Sequence, residues 1–223
     1  MARTTVPSPY RKAVGGNMVF NGDFEIAPVV NVATTTGGKW IDGTVGGSDI
    51  MIFGWALFSA GGTVSTQFDS AVKYSGSNSL RVSTTATASA IEAMSAPATS
   101  ATIIKRYGIP ILPSTSYTVT YKMKTNRTSG SATTGALVYA NERNVAGTAV
   151  TSNAGTSVTT TTDWTSYSIS FTTNSAARFL TIKCTVLGSD GAGTLIMDAW
   201  FDDIELRPTT AIARTSATSR SSA

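Results

Sequence analysis

Histidine is absent from this chain of 223 residues, and Cys184 is its only cysteine. The first absence removes the commonest general base and the commonest transition-metal ligand of proteins. The second excludes an intramolecular disulfide and a zinc site built from cysteines. We therefore expect Cys184 to be a small buried strand residue, on the strand face opposite Ile182, rather than a reactive group.

Charged residues are also scarce, because Asp, Glu, Lys and Arg make up only 13% of the chain. Ser, Thr, Asn and Gly must then fill the solvent-facing positions, and Thr-rich polar faces favour strands over helices. The hydrophobic share of 41% is sufficient for a packed core. No run of about 18 apolar residues occurs, so no membrane span is predicted. Residues 1–12 also lack the apolar segment of a signal peptide.

The net charge of +4 is unevenly distributed. Residues 1–16 and 207–223 together carry six basic side chains and no acidic one, which leaves 11 basic and 13 acidic side chains in residues 17–206. That slightly acidic body is not typical of nucleic-acid-binding proteins. We expect an extended N-terminal arm over 1–16 and a polar basic tail over 207–223. These segments either are simply solvated or contact acidic or carbonyl-rich surfaces of other subunits in a large assembly through Arg3, Arg11, Lys12 and Arg214.

Short runs of strand-favouring residues alternate with turn signals about every 8–15 residues. The clearest run is Ser116–Lys124, and Ala136–Arg143 is another. The opening residues 17–25 read as a short strand broken at Asn21-Gly22, and 126–131 read as a loop. Only 86–101 could hold a short helix. About ten such runs predict an all-β fold, a two-sheet antiparallel β-sandwich of the jelly-roll type over residues 17–206.

The last strand-like run, 194–206, places carboxylates on a largely apolar face. At period two that face carries Ile196, Asp198, Trp200, Asp202, Ile204 and Leu206. A carboxylate in a core-facing register is costly unless its charge is compensated. For Asp202 the compensating group could be a cation, a set of backbone N–H groups, or water at a strand end.

Six blocks of the chain resemble, in order, the jelly-roll carbohydrate-binding modules attached to xylanases and cellulases. The first, Asn17-Met-Val-Phe-Asn-Gly-Asp-Phe-Glu25, is similar to the Asn-Leu-Val-x-Asn-Gly-Asp-Phe-Glu opening of that family. The other blocks are Gly54-Trp55, 74–82, 117–124, 163–171 and 200–206. The resemblance covers roughly residues 17–206 and implies the same sandwich.

The resemblance implies a structural calcium ion near the chain ends. The ligands that it implies are the main-chain carbonyl oxygen of Asp23, the carboxylates of Glu25, Asp69 and Asp202, and the carbonyl oxygen of Lys73. Calcium takes six to eight oxygen ligands and accepts such a mixture of carboxylates and carbonyls.

The resemblance also implies a glycan site, with an aromatic platform beside polar groups on one concave sheet face. The candidate residues are Tyr107, Tyr139, Asn141 and Arg143. The chain departs from the family pattern over 86–92, where a stacking tryptophan is often found and none is present here.

Three functions are compatible with the sequence. The first is a non-catalytic module, displayed on a virion or extracellular surface, that binds glycans or polysaccharide. The second is a structural or decoration protein of a phage head or tail that uses the jelly roll for assembly. The third, a glycoside hydrolase, needs two carboxylates about 5–10 Å apart across a sugar site. Because the late acidic residues crowd a single strand and Asp202 is assigned to a metal, we expect no enzyme activity.

Overall fold

The computed structural model describes residues 17–26, 55–59, 64–84, 91–94, 108–130, 133–187 and 195–209. The regular structure in these ranges is entirely β, and none of it is a helix that could cross a membrane. The strands form two antiparallel sheets, which confirms the predicted all-β sandwich.

Sheet I has five strands in one path and a short sixth strand beside it. In spatial order the path is β1 (Ala56–Ser59), β4 (Ile91–Met94), β10 (Phe179–Val186), β7 (Ala136–Arg143) and β8 (Ala149–Ala154), and β5 (Ile109–Pro110) pairs with β10. Sheet II runs in the order β2 (Val64–Asp69), β3 (Ser79–Thr84), β11 (Leu195–Pro208), β6 (Ser116–Gly130) and β9 (Thr162–Thr172).

The core lies between the sheets because each of the central strands has one apolar face. On β6 the inward residues Tyr117, Val119, Tyr121 and Met123 are at most 2% exposed. Tyr121 stacks on Tyr167 of β9, with ring centroids 5.5 Å apart. Each such buried side chain stabilises the fold by roughly 1.5–3 kcal/mol through removal of apolar surface from water.

Strand β11 departs from the predicted alternation because of a β-bulge. Its register against β6 shifts between Asp202 and Glu205, and Asp203 has a positive φ of 47°. The inward residues before the bulge are Leu195, Met197, Ala199 and Phe201, and those after it are Ile204 and Leu206. The prediction of one continuous face was therefore wrong, because the extra residue reverses the alternation. The outer face before the bulge carries Ile196, Asp198, Trp200 and Asp202, the last of which pairs with Lys122 of β6.

Four local predictions were also wrong. Residues 17–26 form turns and bends rather than a broken strand, and 126–130 continue β6 rather than forming a loop. Part of the segment in which a helix was considered is strand β4. Cys184 is buried and free as predicted, but it lies on the same core face as Ile182, as residues two apart in a strand must.

Candidate functional site

The outer face of sheet I holds three of the four residues predicted to bind sugar. On β7, Val138 and Ala140 point into the core. Tyr139, Asn141 and Arg143 therefore project from the opposite face, and all three are partly exposed. The structure thus places these three side chains on one face of β7. The fourth, Tyr107, lies outside the described residues.

Neighbouring strands add further polar groups to this face. Lys183 of β10 is the register partner of Tyr139, and its Nζ lies 4.6 Å from the centroid of the tyrosine ring. On the other side of β7, the Ser152 hydroxyl donates to Asn141 Oδ1 at 2.6 Å. The face therefore combines an aromatic ring, an ammonium group, an amide and a hydroxyl within three adjacent strands.

Two buried polar atoms on this face, Nε of Arg143 and Oγ1 of Thr181, have no hydrogen-bond partner among the residues that the structure describes. Burial also lowers the pKa of the Arg143 guanidinium, because desolvation disfavours its charged form. A buried N–H donor without a partner costs free energy, so a hydrogen bond from Arg143 to a ligand oxygen would make binding more favourable.

Burial is uneven along this face. Leu137 and Thr185, which are register partners, are buried, and Thr181, the register partner of Asn141, is also buried. Tyr139, Asn141 and Arg143 remain partly exposed. The predicted site did not include Lys183, Thr181 or Ser152. On β10 the alternation of polar 181, 183 and 185 with apolar 180, 182, 184 and 186 could have identified two of them.

The candidate metal ligands Glu25 and Asp202 both contact one turn, residues 73–78. Asp202 Oδ2 accepts the backbone N–H groups of Tyr74 and Ser75 at 3.0 and 3.1 Å. Glu25 Oε1 accepts those of Ser77 and Asn78 at 2.8 and 3.0 Å. Of the three compensating groups considered for Asp202, the structure contains backbone N–H groups.

Burial has the largest influence on the pKa of Asp202. Its side chain is inaccessible to solvent, beneath the 73–78 turn. Desolvation raises the pKa of its carboxyl to about 6, while the N–H groups of Ser75, Asp203 and Tyr74 act in the opposite direction. The ionised form is thus only partly stabilised by its hydrogen bonds.

The remaining candidate ligands are more dispersed. Asp69 Oδ1 accepts the N–H groups of Ala71 and Val72, and its Oδ2 accepts the Trp200 indole N–H at 2.8 Å. Lys73 begins the 73–78 turn, and its ammonium group donates to the Ser70 carbonyl oxygen. Asp23 is exposed.

A cavity with several acidic side chains in its lining lies beside Glu25. It has a volume of about 380 Å³, and its lining includes the acidic residues Asp23, Glu25, Asp203 and Glu205. Oxygen atoms of this kind suit calcium. Within the described part of the chain, however, no three acidic, histidine or cysteine side chains are grouped closely enough to hold a metal ion. The donor chemistry therefore fits calcium, whereas the described side chains are not assembled into a site.

Comparison with known proteins gives a fold rather than a family. No protein-family model matches the chain, and no curated protein matches it. Among solved structures the similar folds are β-sandwiches, and several of them are carbohydrate-binding modules.

Three structures illustrate the range of these matches. The enzymatically active domain of tailspike protein 4 from bacteriophage CBA120 has a TM-score of 0.51 and 16% identity, over 70% of this chain but only 19% of the tailspike chain. The Stig cyclase Fisc from Fischerella sp. TAU has a TM-score of 0.50 and 12% identity, over 87% of this chain and 98% of the cyclase. The CBM22-1 xylan-binding domain of Paenibacillus barcinonensis Xyn10C has a TM-score of 0.45 and 14% identity, over 74% of this chain and 92% of that domain. At such identities the likeness concerns the fold alone.

Proposed function

We propose that this chain is a non-catalytic β-sandwich module that binds glycans on the outer face of sheet I, at Tyr139, Asn141 and Arg143. The observation that carries the proposal is the combination on that face of a partly exposed aromatic ring with a buried Arg143 Nε that has no partner in the described part of the chain. Sugars present apolar C–H faces and a rim of hydroxyl groups, and both would find partners here.

The binding mode follows from the arrangement of these groups. One side of the Tyr139 ring is near the Lys183 ammonium, so a pyranose ring would stack on the other side. Sugar hydroxyls would bond to the Asn141 amide and to Arg143. With a single aromatic ring and few polar contacts, we expect affinities in the range of about micromolar to millimolar.

Glycan-array screening followed by calorimetric titration tests this proposal. We expect Tyr139→Ala to weaken the binding of any neutral glycan identified at least about tenfold, equivalent to about 1.4 kcal/mol. Tyr139→Phe is the matched control, because it keeps the ring and should retain most of the affinity. Equal affinities for the parent and Tyr139→Ala would show that the glycan binds elsewhere.

A second candidate function is a structural or decoration protein of a phage virion. It is favoured by the likeness to a tailspike domain and by the excess of basic side chains in residues 1–16 and 207–223. The two functions are compatible, since a virion protein can also bind surface glycans. Assembly assays on a chain lacking the N-terminal segment distinguish them, as described in the Discussion.

A further inference from the structure

The outer face of sheet II carries an aromatic pair on the opposite side of the molecule from Tyr139. The Tyr74 side chain is 45% exposed and meets the partly exposed Trp164 edge to face, with ring centroids 5.8 Å apart. Lys122 Nζ lies 4.4 Å from the centroid of the Tyr74 ring and donates to Ser166 Oγ at 2.7 Å. An exposed aromatic surface bordered by polar groups is the usual composition of a ligand site.

The turn that holds Tyr74 is fixed before any ligand arrives. The Tyr74 and Ser75 N–H groups bond to the buried Asp202 carboxylate, and Glu25 holds the far side of the same turn. The Ser75 hydroxyl donates to Asp203 Oδ1 at 3.0 Å. A ligand stacking on Tyr74 would therefore not have to order its backbone, which lowers the cost of binding.

Hydroxyl groups extend from the aromatic pair along the paired strands β6 and β9. The hydroxyl oxygens of Ser116 and Thr172 are 3.0 Å apart, and those of Thr118 and Ser170 are 3.1 Å apart. Thr120 faces Ser168 in the next outward pair, and Lys122 faces Ser166 after it. From Ser116 to Lys122 these outward pairs extend over roughly 20 Å of strand.

Most charges on this surface are paired. Lys124 Nζ contacts Asp163 Oδ1 at 2.8 Å, and Arg207 Nη2 contacts Glu205 Oε2 at 2.9 Å. Lys122 differs, because its ammonium contacts two uncharged groups, the Tyr74 ring and the Ser166 hydroxyl. The surface thus offers stacking and neutral hydroxyl partners beside one lysine, rather than a strong field of either sign. That chemistry suits an uncharged sugar chain better than an acidic one.

We propose that the Tyr74–Trp164 pair and the adjoining hydroxyl rows of β6 and β9 form a second binding surface for a neutral polysaccharide chain. The aromatic pair anchors one sugar ring, and the Ser and Thr hydroxyls contact the following ones. This surface lies on the opposite sheet from Tyr139, so its existence does not depend on the function proposed for sheet I. If both surfaces bind, one molecule links two polysaccharide chains.

A site-specific titration tests this second surface. The full-length chain is labelled with 5-fluorotryptophan, and ¹⁹F spectra are recorded during titration with xylohexaose, cellohexaose and laminarihexaose up to about 10 mM, the weak end of such affinities. Trp164→Phe assigns the Trp164 resonance, and the buried Trp55 is the internal control. We expect a saturable shift of the Trp164 resonance with at least one of these sugars.

Two variants separate this surface from sheet I. We expect Tyr74→Ala to weaken the Trp164 response at least tenfold and Tyr139→Ala to leave it unchanged. Because Tyr74 and Tyr139 are both partly exposed and outside the core, thermal unfolding should show both variants folded. Lys122→Ala is a further variant expected to weaken binding. The inference is overturned if the Trp164 resonance is silent toward all three sugars, or if its shift survives Tyr74→Ala.

Other outcomes are equally informative. A Trp164 shift that depends on protein concentration and not on sugar would assign the surface to self-association along β9, an edge strand of sheet II, and would also overturn the inference. Calorimetric binding that is lost in Tyr139→Ala while Trp164 stays silent would support the sheet I site alone. A Trp164 shift without any effect of Tyr139→Ala on total binding would support the second surface alone.

Discussion

Gly76 supports the 73–78 turn in two ways. Its φ of +56° lies in the left-handed region, and a Cβ atom there would collide with the Glu25 carboxylate. Glycine is therefore required twice, once for backbone geometry and once for the space that Glu25 occupies. The contacts of Glu25 with Ser77 and Asn78 depend on that space.

We expect Gly76→Ala to lower the free energy of unfolding by about 1–3 kcal/mol, measured by urea denaturation. Part of this loss is backbone strain and part is displacement of Glu25. In a Glu25→Ala background only the strain should remain, so the two substitutions should be non-additive. Gly147→Ala, at a φ of 83°, controls for strain alone. Additive effects would show that Gly76 and Glu25 act independently.

The raised pKa of the Asp202 carboxyl predicts an unusual dependence of stability on pH. Its folded-state pKa of about 6 lies above the ordinary aspartate value of 3.8, so the folded state binds the proton more tightly than the unfolded state does. Stability is therefore greatest below about pH 4 on this account, falls as the pH rises to about 6, and stays lower above it. The whole effect is at most about 3 kcal/mol, from roughly two pKa units.

Urea denaturation between pH 4 and 7 in the presence of EDTA measures this effect. We expect the parent protein to lose stability over that range relative to Asp202→Asn, which cannot titrate. Parallel curves for the two proteins would mean that the carboxyl has an ordinary pKa in the folded state.

At the scale of elements, β11 shows what the sequence could and could not predict. The strand itself, its apolar content and the importance of Asp202 followed from composition and spacing. The bulge could not be predicted, because it depends on Asp203 adopting a positive φ. Aspartate tolerates this conformation, but an aspartate in a sequence does not indicate it. One extra residue then moved Trp200 to the outer face, where its indole N–H bonds to Asp69.

The 73–78 turn is the element that would respond to calcium. We predict that calcium binds beside Glu25 and Asp202, where acidic side chains line the adjacent cavity. Calcium would then raise the melting temperature and EDTA would lower it in the parent protein, while EDTA would have no effect on Asp202→Ala. Bound calcium would also reverse the pH dependence described above, because it favours the ionised carboxylate. An unchanged melting temperature of the parent in EDTA would leave Asp202 compensated by N–H groups alone.

At the scale of the whole molecule, the fold was more predictable than its surfaces. The alternation of inward Tyr117, Val119, Tyr121 and Met123 was visible in the sequence and is present in the structure. The outer faces carry no such pattern, since Ser, Thr and scattered aromatics serve both solvation and binding. The Tyr74–Trp164 pair joins residues 90 positions apart, so no local reading of the sequence could have found it.

The N-terminal segment provides a test of assembly. The sandwich is anchored from Asn17, whose side chain donates to the Ile204 carbonyl oxygen and accepts the Leu206 N–H. We therefore expect a chain lacking residues 1–14 to keep its melting temperature. If the basic segment contacts other subunits, sedimentation should show a large assembly for the parent protein and none for the shortened chain. Undiminished assembly would exclude a role for Arg3, Arg11 and Lys12.

Cys184 makes the protein its own reporter of unfolding. The thiol is buried in the core of sheet I, and burial raises its pKa well above the usual value, so a thiol reagent can react only when the sandwich opens. The rate of labelling then measures the population of the opened state, in the same way as amide hydrogen exchange. The native thiol also need not be removed before a cysteine is introduced on the surface, for example to attach a fluorophore near the 73–78 turn.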